Sequence, residues 1–231
     1  MSDKYLSKDI KVTARITGIW YLILAISGLF GFLIFHSQIF VEDPEITLEN
    51  IIAQNTVARA RLIFEFAIVV SQALAAVWFY KLFRNLNEST AWALGVWGIV
   101  NSVAIMISAI SMASAIEIAN SSLQSLDEKI LLIDLFSQLV KHSWGVGSLF
   151  FGLWLIPMGY IVTSSKCMPL WLGRILIIGG FGYLISTLLN YIGLESSYIE
   201  LLVIPATIGE FWMIGYLLIY GIRIPESVDP Q

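Results

Sequence analysis

The side chains in this sequence that could do chemistry are a few charged residues inside otherwise apolar segments. Arg61 and Glu65 stand four positions apart, so they can pair on one face of a helix, and Arg59 lies close to them. A charge at the centre of a bilayer costs roughly 2.5–3.5 kcal/mol on insertion scales, so such residues need partners and are default functional candidates. We take Arg59, Arg61, Glu65 and Glu210 as a ligand-binding site or buried charge network. The alternative for Arg61 and Glu65 is a structural ion pair that neutralises both charges.

Glu210 is predicted to lie near the middle of the last apolar segment. Its neighbours on the same helical face cannot neutralise a carboxylate, so its partner must come from another helix or the carboxyl must be protonated. Arg59 and Arg61 lie at a comparable depth, and we expect Glu210 to pair with one of them. The alternative is a contact that locks helices together without chemistry.

A second tier of candidates comprises Asp134, Lys141, His142 and Asn101. Asp134 and His142 are eight residues apart and share a helical face, so they could form an acid–base pair or supply two metal ligands. His36 and Glu210 would then be further ligands of an outer metal. The alternative is the solvated face of an outer helix, and for Asn101 a hydrogen bond between helices.

The composition places the chain in a membrane. Its 231 residues are 58% hydrophobic and 13% charged, whereas soluble domains are about 45–50% apolar and about 25% charged. The mean hydropathy of +0.81 is also that of a membrane protein rather than of a soluble domain. The net charge of −4 gives no reason to expect a nucleic-acid partner, and the single cysteine excludes an internal disulfide.

Six charge-poor segments are long enough to cross a bilayer, which takes about 20 apolar residues for a helix. The predicted fold is an all-α membrane protein, a bundle of six transmembrane helices in a single domain over 1–231. The predicted spans are 16–35, 62–80, 89–116, 143–165, 175–194 and 201–222.

The basic residues predict the orientation. With a cytoplasmic N-terminus, nine of the 13 basic residues fall on the cytoplasmic side, so both termini should be cytoplasmic. These nine are Lys4, Lys8, Lys11, Arg15, Lys81, Arg84, Lys166, Arg174 and Arg223. Several aromatic residues, Tyr21 among them, are predicted to lie near span ends as an interfacial belt.

Two predicted outer segments lie between or beside the membrane spans. The amphipathic stretch 129–142 either extends the fourth helix outwards or lies along the outer interface. The longest connection, 37–55, carries four acidic residues and is predicted to be solvated, with a short helix around 48–53.

The order of the apolar blocks resembles a bacterial integral-membrane family known only as domain of unknown function 4386. The blocks are ARITGIWYLILAISGLFGF at 14–32, VARARLIFEFAIVVSQALAAVWFYKLFRNLN at 57–87, GSLFFGLWLIPMGYIV at 147–162, MPLWLGRILIIGGFGYLI at 168–185 and IPATIGEFWMIGYLLIYGIR at 204–223. The resemblance implies a six-helix membrane domain in the bacterial inner (plasma) membrane. It supplies no activity, so no functional residue is carried over.

Three functions are compatible with these features. The first is binding or transport of a small anionic or amphipathic ligand, a lipid included, through an outward-facing polar pocket. The second is a membrane-embedded hydrolase with a His/carboxylate site, and the third is a structural or accessory subunit. The sequence carries no recognisable catalytic or nucleotide-binding motif, which favours a non-enzymatic role. We expect the bilayer as a partner, no nucleic acid and no cofactor, and the sequence leaves the oligomeric state open.

Overall fold

The structure, a computed structural model, describes residues 3–194 and 196–223. Within these ranges the chain is helical and has no strand. The helices in chain order are α1 (Asp3–Gly28), α2 (Ser37–Ile39), α3 (Pro44–Ala53), α4 (Asn55–Phe83), α5 (Glu88–Asn120), α6 (Leu126–Ser165), α7 (Leu170–Tyr191), α8 (Ser197–Glu200) and α9 (Ile204–Ile219). A π-helical segment, Leu29–His36, joins α1 to α2, and a 3₁₀ turn, Leu201–Val203, joins α8 to α9.

Six helical stretches of the described chain are long and apolar enough to cross a membrane, which confirms the predicted fold class. They are Asp9–Ile39, Asn55–Phe83, Glu88–Asn120, Leu126–Ser165, Leu170–Tyr191 and Tyr198–Ile219. The first four contain the predicted spans entirely. Helices run beyond their apolar centres because charged residues at the ends continue the backbone hydrogen bonding.

The last two predicted spans, 175–194 and 201–222, extend past the ends of their helices. The α7 helix ends at Tyr191 and α9 at Ile219, and each is followed by a glycine with positive φ, Gly193 at 84° and Gly221 at 76°. A left-handed residue just past a helix is a common stop, and glycine adopts it without strain. A span predicted only from the length of an apolar segment therefore continues past the true end of the helix.

The amphipathic stretch 129–142 belongs to α6, a continuous helix of 40 residues. This settles the alternative that the sequence left open, because the stretch extends the fourth membrane helix. Its leucine stripe is directed outwards, with Leu131, Leu135 and Leu139 exposed at 70%, 50% and 40%. The buried contacts come from Ile133 and Val140 instead.

The connection 37–55 is more ordered than a solvated loop. Within it, α3 is a helix of ten residues, and the side chain of Asp43 caps it by accepting from the backbone N–H groups of Glu45 and Ile46. Thr47, Leu48 and Ile51 are buried. The predicted short helix around 48–53 is present and begins earlier, at Pro44, and the four acidic residues of the connection are exposed as expected. The apolar face of this helix packs against other residues.

The chain divides into two compact units, and the first comprises Met1–Leu22, Gln72–Asn101 and Ser148–Gln231. At its centre the rings of Tyr21, Phe79 and Trp154 pack edge to face, with centroids 5.4–5.7 Å apart. The α7 helix approaches α9 and the preceding 3₁₀ turn through glycines. A Cβ added at Gly179 would overlap the backbone of Ala206, so only a small residue permits this contact.

The second unit comprises Ile23–Ser71 and Ser102–Gly147. Its apolar core joins residues of α2, α3, α4, α5 and α6. The buried members are Ile39, Leu48, Ile51, Ala58, Met112, Ala115, Ile116, Ala119, Ile133 and Val140. Phe40 and Trp144 pack against this core.

The π-helical segment supplies aromatic side chains to the second unit. Phe32 and His36 stack with ring centroids 4.9 Å apart, and His36 stacks on Phe40 at 5.2 Å. A π-helical turn widens the backbone and changes the direction of the side chains that follow, and such turns occur often at functional sites. The stretch therefore merits attention as part of a site.

We predict that Gly182→Ala lowers the melting temperature of the detergent-solubilised protein. The added Cβ would overlap the Leu202 carbonyl, and overpacking of this kind typically costs about 1–3 kcal/mol. Thermal unfolding followed by tryptophan fluorescence measures the effect.

Gly215→Ala is the matched control, because a Cβ there meets no atom of the described residues within 4 Å. It should leave the melting temperature unchanged or raise it, since alanine is favoured over glycine inside a helix by roughly 0.5–1 kcal/mol. Equal melting temperatures for the two variants would contradict the close packing of α7.

Candidate functional site: a cavity beside a buried ion pair

An ion pair between Arg61 and Glu65 is buried in the second unit. The Nη1 of Arg61 donates to Oε2 of Glu65 at 2.7 Å, and both side chains are only 2% exposed. Removing two charges from water costs several kcal/mol for each ion, which attraction offsets only when further hydrogen bonds are present. The pairing predicted from the four-residue spacing is confirmed.

The second carboxylate oxygen of Glu65 accepts hydrogen bonds from two other helices. Its Oε1 accepts from the hydroxyl of Ser108 on α5 and from the indole Nε1 of Trp144 on α6, the latter at 3.1 Å. The same indole N–H lies 3.1 Å from the Ser108 Oγ. One carboxylate thus holds α4, α5 and α6 together inside this unit.

The guanidinium of Arg61 is surrounded by aromatic rings. Its Nε donates to Nδ1 of His36 at 3.2 Å, and its Cζ lies 5.1 Å from the ring centroid of Phe40 and 6.0 Å from that of Phe32. Cation–π attraction at such distances contributes about 0.5–2 kcal/mol. The charge of Arg61 is therefore compensated on several sides.

A cavity of about 580 Å³ lies in the same unit. It is lined by Phe32, His36, Phe40, Val41, Glu42, Asp134, Ser137, Gln138, Val140, Lys141 and Trp144. Glu42, Gln138 and Lys141 are exposed, so the cavity opens to the surface at their side. Its volume falls within the range of small-molecule sites, about 300–1,000 Å³.

The polar wall of the cavity comes from one face of α6. Asp134, Ser137, Lys141 and Trp144 are spaced by three, four and three residues, which places them along a single helical face. Gln138 donates to Oδ2 of Asp134 at 2.8 Å and orients that carboxylate. These polar residues line the cavity, and Gln138 and Lys141 are also exposed, as the solvated face considered from the sequence requires.

Trp144 belongs to both the cavity and the ion-pair cluster. Together with Phe32 it also borders a gap beside Arg61 and Glu65 that has no space for a water molecule. The larger cavity, which both rings also line, opens to the surface. A ligand that moves the Trp144 ring would disturb a hydrogen bond to Glu65.

Two predicted site residues of the second unit belong to neither the ion pair nor the cavity lining. Arg59 is exposed, and its Nε donates to Oδ1 of Asn55 at 2.7 Å. His142 is also exposed, because it follows Lys141 by one position and is turned about 100° away from the cavity face. The sequence had led us to expect Arg59 and Arg61 in the wall of the pocket, but neither lines the cavity.

Asn101, in the first unit, is fully buried. Neither atom of its side-chain amide has a hydrogen-bond partner among the described residues. The expected hydrogen bond between helices is therefore not found, and the structure offers no explanation of this residue.

Glu210 also belongs to the first unit, and its observed hydrogen-bond donor is Tyr21. The phenolic hydroxyl donates to Oε1 at 2.6 Å. The expected pairing with Arg59 or Arg61 is corrected, because these arginines bond Asn55 and Glu65 instead. Tyr21 is itself 2% exposed, so it is a buried partner rather than an interfacial aromatic.

The metal site considered from the sequence has no geometric support. Across 3–194 and 196–223, no group of three or more His, Cys, Asp or Glu side chains could hold a metal ion. Such sites need ligand atoms to converge within about 2–2.5 Å of one point.

Phe32, Phe40, Ser108 and Trp144 are among the residues of the site that the sequence analysis missed as site members. A signal for Trp144 exists, because it follows Lys141 by three positions and so continues the face of Asp134 and Lys141. An indole N–H within the membrane also needs an acceptor, and a buried carboxylate is one.

We predict that Glu65→Gln strongly destabilises the protein. The substitution leaves Arg61 buried without its counter-charge, and breaking a buried pair in this way costs about 3–5 kcal/mol. The unfolding temperature in detergent should fall clearly. A double variant, Arg61→Met with Glu65→Leu, should recover part of the loss because no unpaired charge remains.

Arg59→Gln is the control for this experiment, since an exposed hydrogen-bonded arginine contributes no more than about 1 kcal/mol. If Glu65→Gln and Arg59→Gln unfold at the same temperature, the buried pair does not have the energetic role assigned here.

Comparisons with known proteins agree with this architecture. Residues 16–221 match the family described as "Domain of unknown function (DUF4386)". An uncharacterised protein of Archaeoglobus fulgidus is 26% identical over 164 residues, which cover 71% of this chain and 85% of that protein. No solved structure matches the chain. The protein is a member of the DUF4386 family of multi-pass membrane proteins.

Proposed function

We propose that this protein binds a small amphipathic molecule, lipids included, in the cavity of the second unit. The observation that carries the proposal is the cavity of about 580 Å³, whose lining combines aromatic rings with charged groups. Ligand sites are mostly apolar with a few placed polar groups, and this lining has that composition.

The charges of the lining favour a polar end that carries both signs. Glu42 and Asp134 provide carboxylates, whereas Lys141 provides an ammonium group. The guanidinium of Arg61 is already paired with Glu65, so it does not add a free cation to the cavity. A zwitterionic head group therefore fits better than the simple anion suggested by the arginines in the sequence.

The apolar part of the ligand would lie against Phe32, Phe40 and Trp144. These rings line the cavity, and aromatic faces also attract an ammonium group that lies over them. The basic-residue asymmetry of the chain would put Lys141 and Glu42 on the outer side of the membrane. The ligand would then enter from the outer leaflet or the space beyond it.

The hydrolase alternative lacks a comparable argument. Its proposed histidine, His142, points away from the cavity face, and the hydroxyl of Ser137 donates to the Ile133 carbonyl at 2.7 Å.

We retain the bacterial inner (plasma) membrane as the proposed location, on the grounds of the family resemblance and the six spans.

We predict that the purified protein in detergent binds lysophosphatidylethanolamine, a zwitterionic single-chain lipid, more tightly than lysophosphatidylglycerol, an anionic one. Asp134→Asn and Lys141→Gln should each weaken zwitterion binding about tenfold, the loss of one charge-assisted contact. Native mass spectrometry across a lipid titration measures the affinities.

Asp127→Asn and Arg59→Gln are the matched controls, because both side chains are exposed and lie outside the cavity lining. They should bind like the parent protein. Ser137→Phe would fill the cavity and abolish binding, whereas Leu135→Phe on the outward face should not. Equal affinity in all variants would refute the site.

A further inference from the structure

A second cavity, in the first unit, is separate from the proposed ligand site. Its volume is about 310 Å³. Three parts of the chain form it: the start of α1, the end of α4 with the turn after it, and the segment after α9. The lining residues are Asp9, Ile10, Thr13, Lys81, Leu82, Arg84, Asn85, Leu86, Ile222 and Arg223.

The backbone around this cavity is held by hydrogen bonds. Arg84 N–H donates to the Tyr80 carbonyl at 2.9 Å, which continues the last turn of α4. Arg223 N–H donates to the Cys167 carbonyl at 2.9 Å, just after the positive φ of Gly221 turns the chain. The basic side chains are thus carried on fixed backbone positions.

The cavity is rich in positive charge. Lys81, Arg84 and Arg223 contribute three cations against the single carboxylate of Asp9. The side chains of Leu82 and Ile222 are buried at 6% and 8% exposure and supply apolar surface beneath the charges. The ammonium of Lys81 lies 4.4 Å from the ring centroid of Trp78, and the two guanidinium groups are of the kind that binds phosphate oxygens through paired hydrogen bonds.

We propose that this cavity binds a phosphate group on the cytoplasmic side of the membrane. The positive-inside bias predicts that side for all three cations, and basic pockets between membrane helices on this side bind anionic lipid head groups. The volume accommodates a phosphate with a small substituent, such as glycerol. The phosphate belongs either to the head group of an anionic phospholipid or to a soluble phosphate ester.

The positive-inside bias by itself does not explain why Arg84 and Arg223 line the same cavity. Arg15 and Arg174 are predicted on the same side and are exposed, yet they lie outside this lining. The guanidinium of Arg174 lies 4.9 Å from the ring centroid of Trp171. Arg84 and Arg223, in contrast, come from distant parts of the sequence and share one cavity.

The test compares two double variants with equal loss of charge. Arg84→Gln with Arg223→Gln removes both guanidinium groups from the cavity, and Arg15→Gln with Arg174→Gln removes two outside it. Binding of phosphatidylglycerol to each purified protein is measured by native mass spectrometry, with diacylglycerol as the phosphate-free comparison lipid. The cavity variant should bind phosphatidylglycerol at least about tenfold more weakly than the control variant.

Glycerol phosphate, added as a soluble competitor, distinguishes the two sources. Displacement of the lipid at low competitor concentration supports a soluble phosphate ester, and lipid binding that resists it supports a head group. If the cavity variant unfolds at a lower temperature than the parent, Arg223→Gln alone replaces it. Equal weakening in both double variants, or no preference of the parent for phosphatidylglycerol, would overturn the proposal.

Discussion

Hydrocarbon does not solvate charge, and this constraint governs the second unit of the protein. Arg61 and Glu65 lie four residues apart on one apolar helix, where they form a buried ion pair and each meets further polar or aromatic groups. Glu65 accepts hydrogen bonds from Ser108 and Trp144. Arg61 donates a hydrogen bond to His36 and lies near the rings of Phe32 and Phe40. Packing of the surrounding helical segments follows from satisfying this pair.

The same constraint links the ion pair to the cavity. Four residues that contact the ion pair also line the cavity of about 580 Å³: Phe32, His36, Phe40 and Trp144. Trp144 donates its N–H to Glu65 and also lines the cavity, so this side chain belongs to both the ion-pair cluster and the cavity wall. The π-helical segment brings Phe32 and His36 into the same position.

The sequence predicts the helices well because apolar length determines which segments cross a membrane. It also predicts the pairing of Arg61 with Glu65, since both residues lie on one helix and their spacing determines their separation. It does not predict the partner of Glu210, because a contact between helices depends on how each helix is rotated about its axis. Hydropathy contains little information on that rotation.

Other parts of the site were not predictable for a related reason. The polar stripe of α6 has the spacing of a water-exposed face, and only the packed structure shows that Asp134 and Lys141 line a cavity. The leucine stripe of the same helix, with Leu131 exposed at 70%, is directed outwards. Amphipathic spacing identifies two faces but does not say which one meets other helices.

Both cavity proposals depend on the predicted orientation of the chain, which assigns residue 138 to the outer side of the membrane and residue 85 to the cytoplasmic side. The native Cys167 is buried, and burial raises the pKa of its thiol, so a Cys167→Ala background removes an already unreactive group. In that background, Gln138→Cys and Asn85→Cys would be labelled in intact cells with a membrane-impermeant maleimide. The account predicts labelling at position 138 before lysis and at position 85 only after it. Labelling of position 85 in intact cells, with position 138 protected, would contradict it.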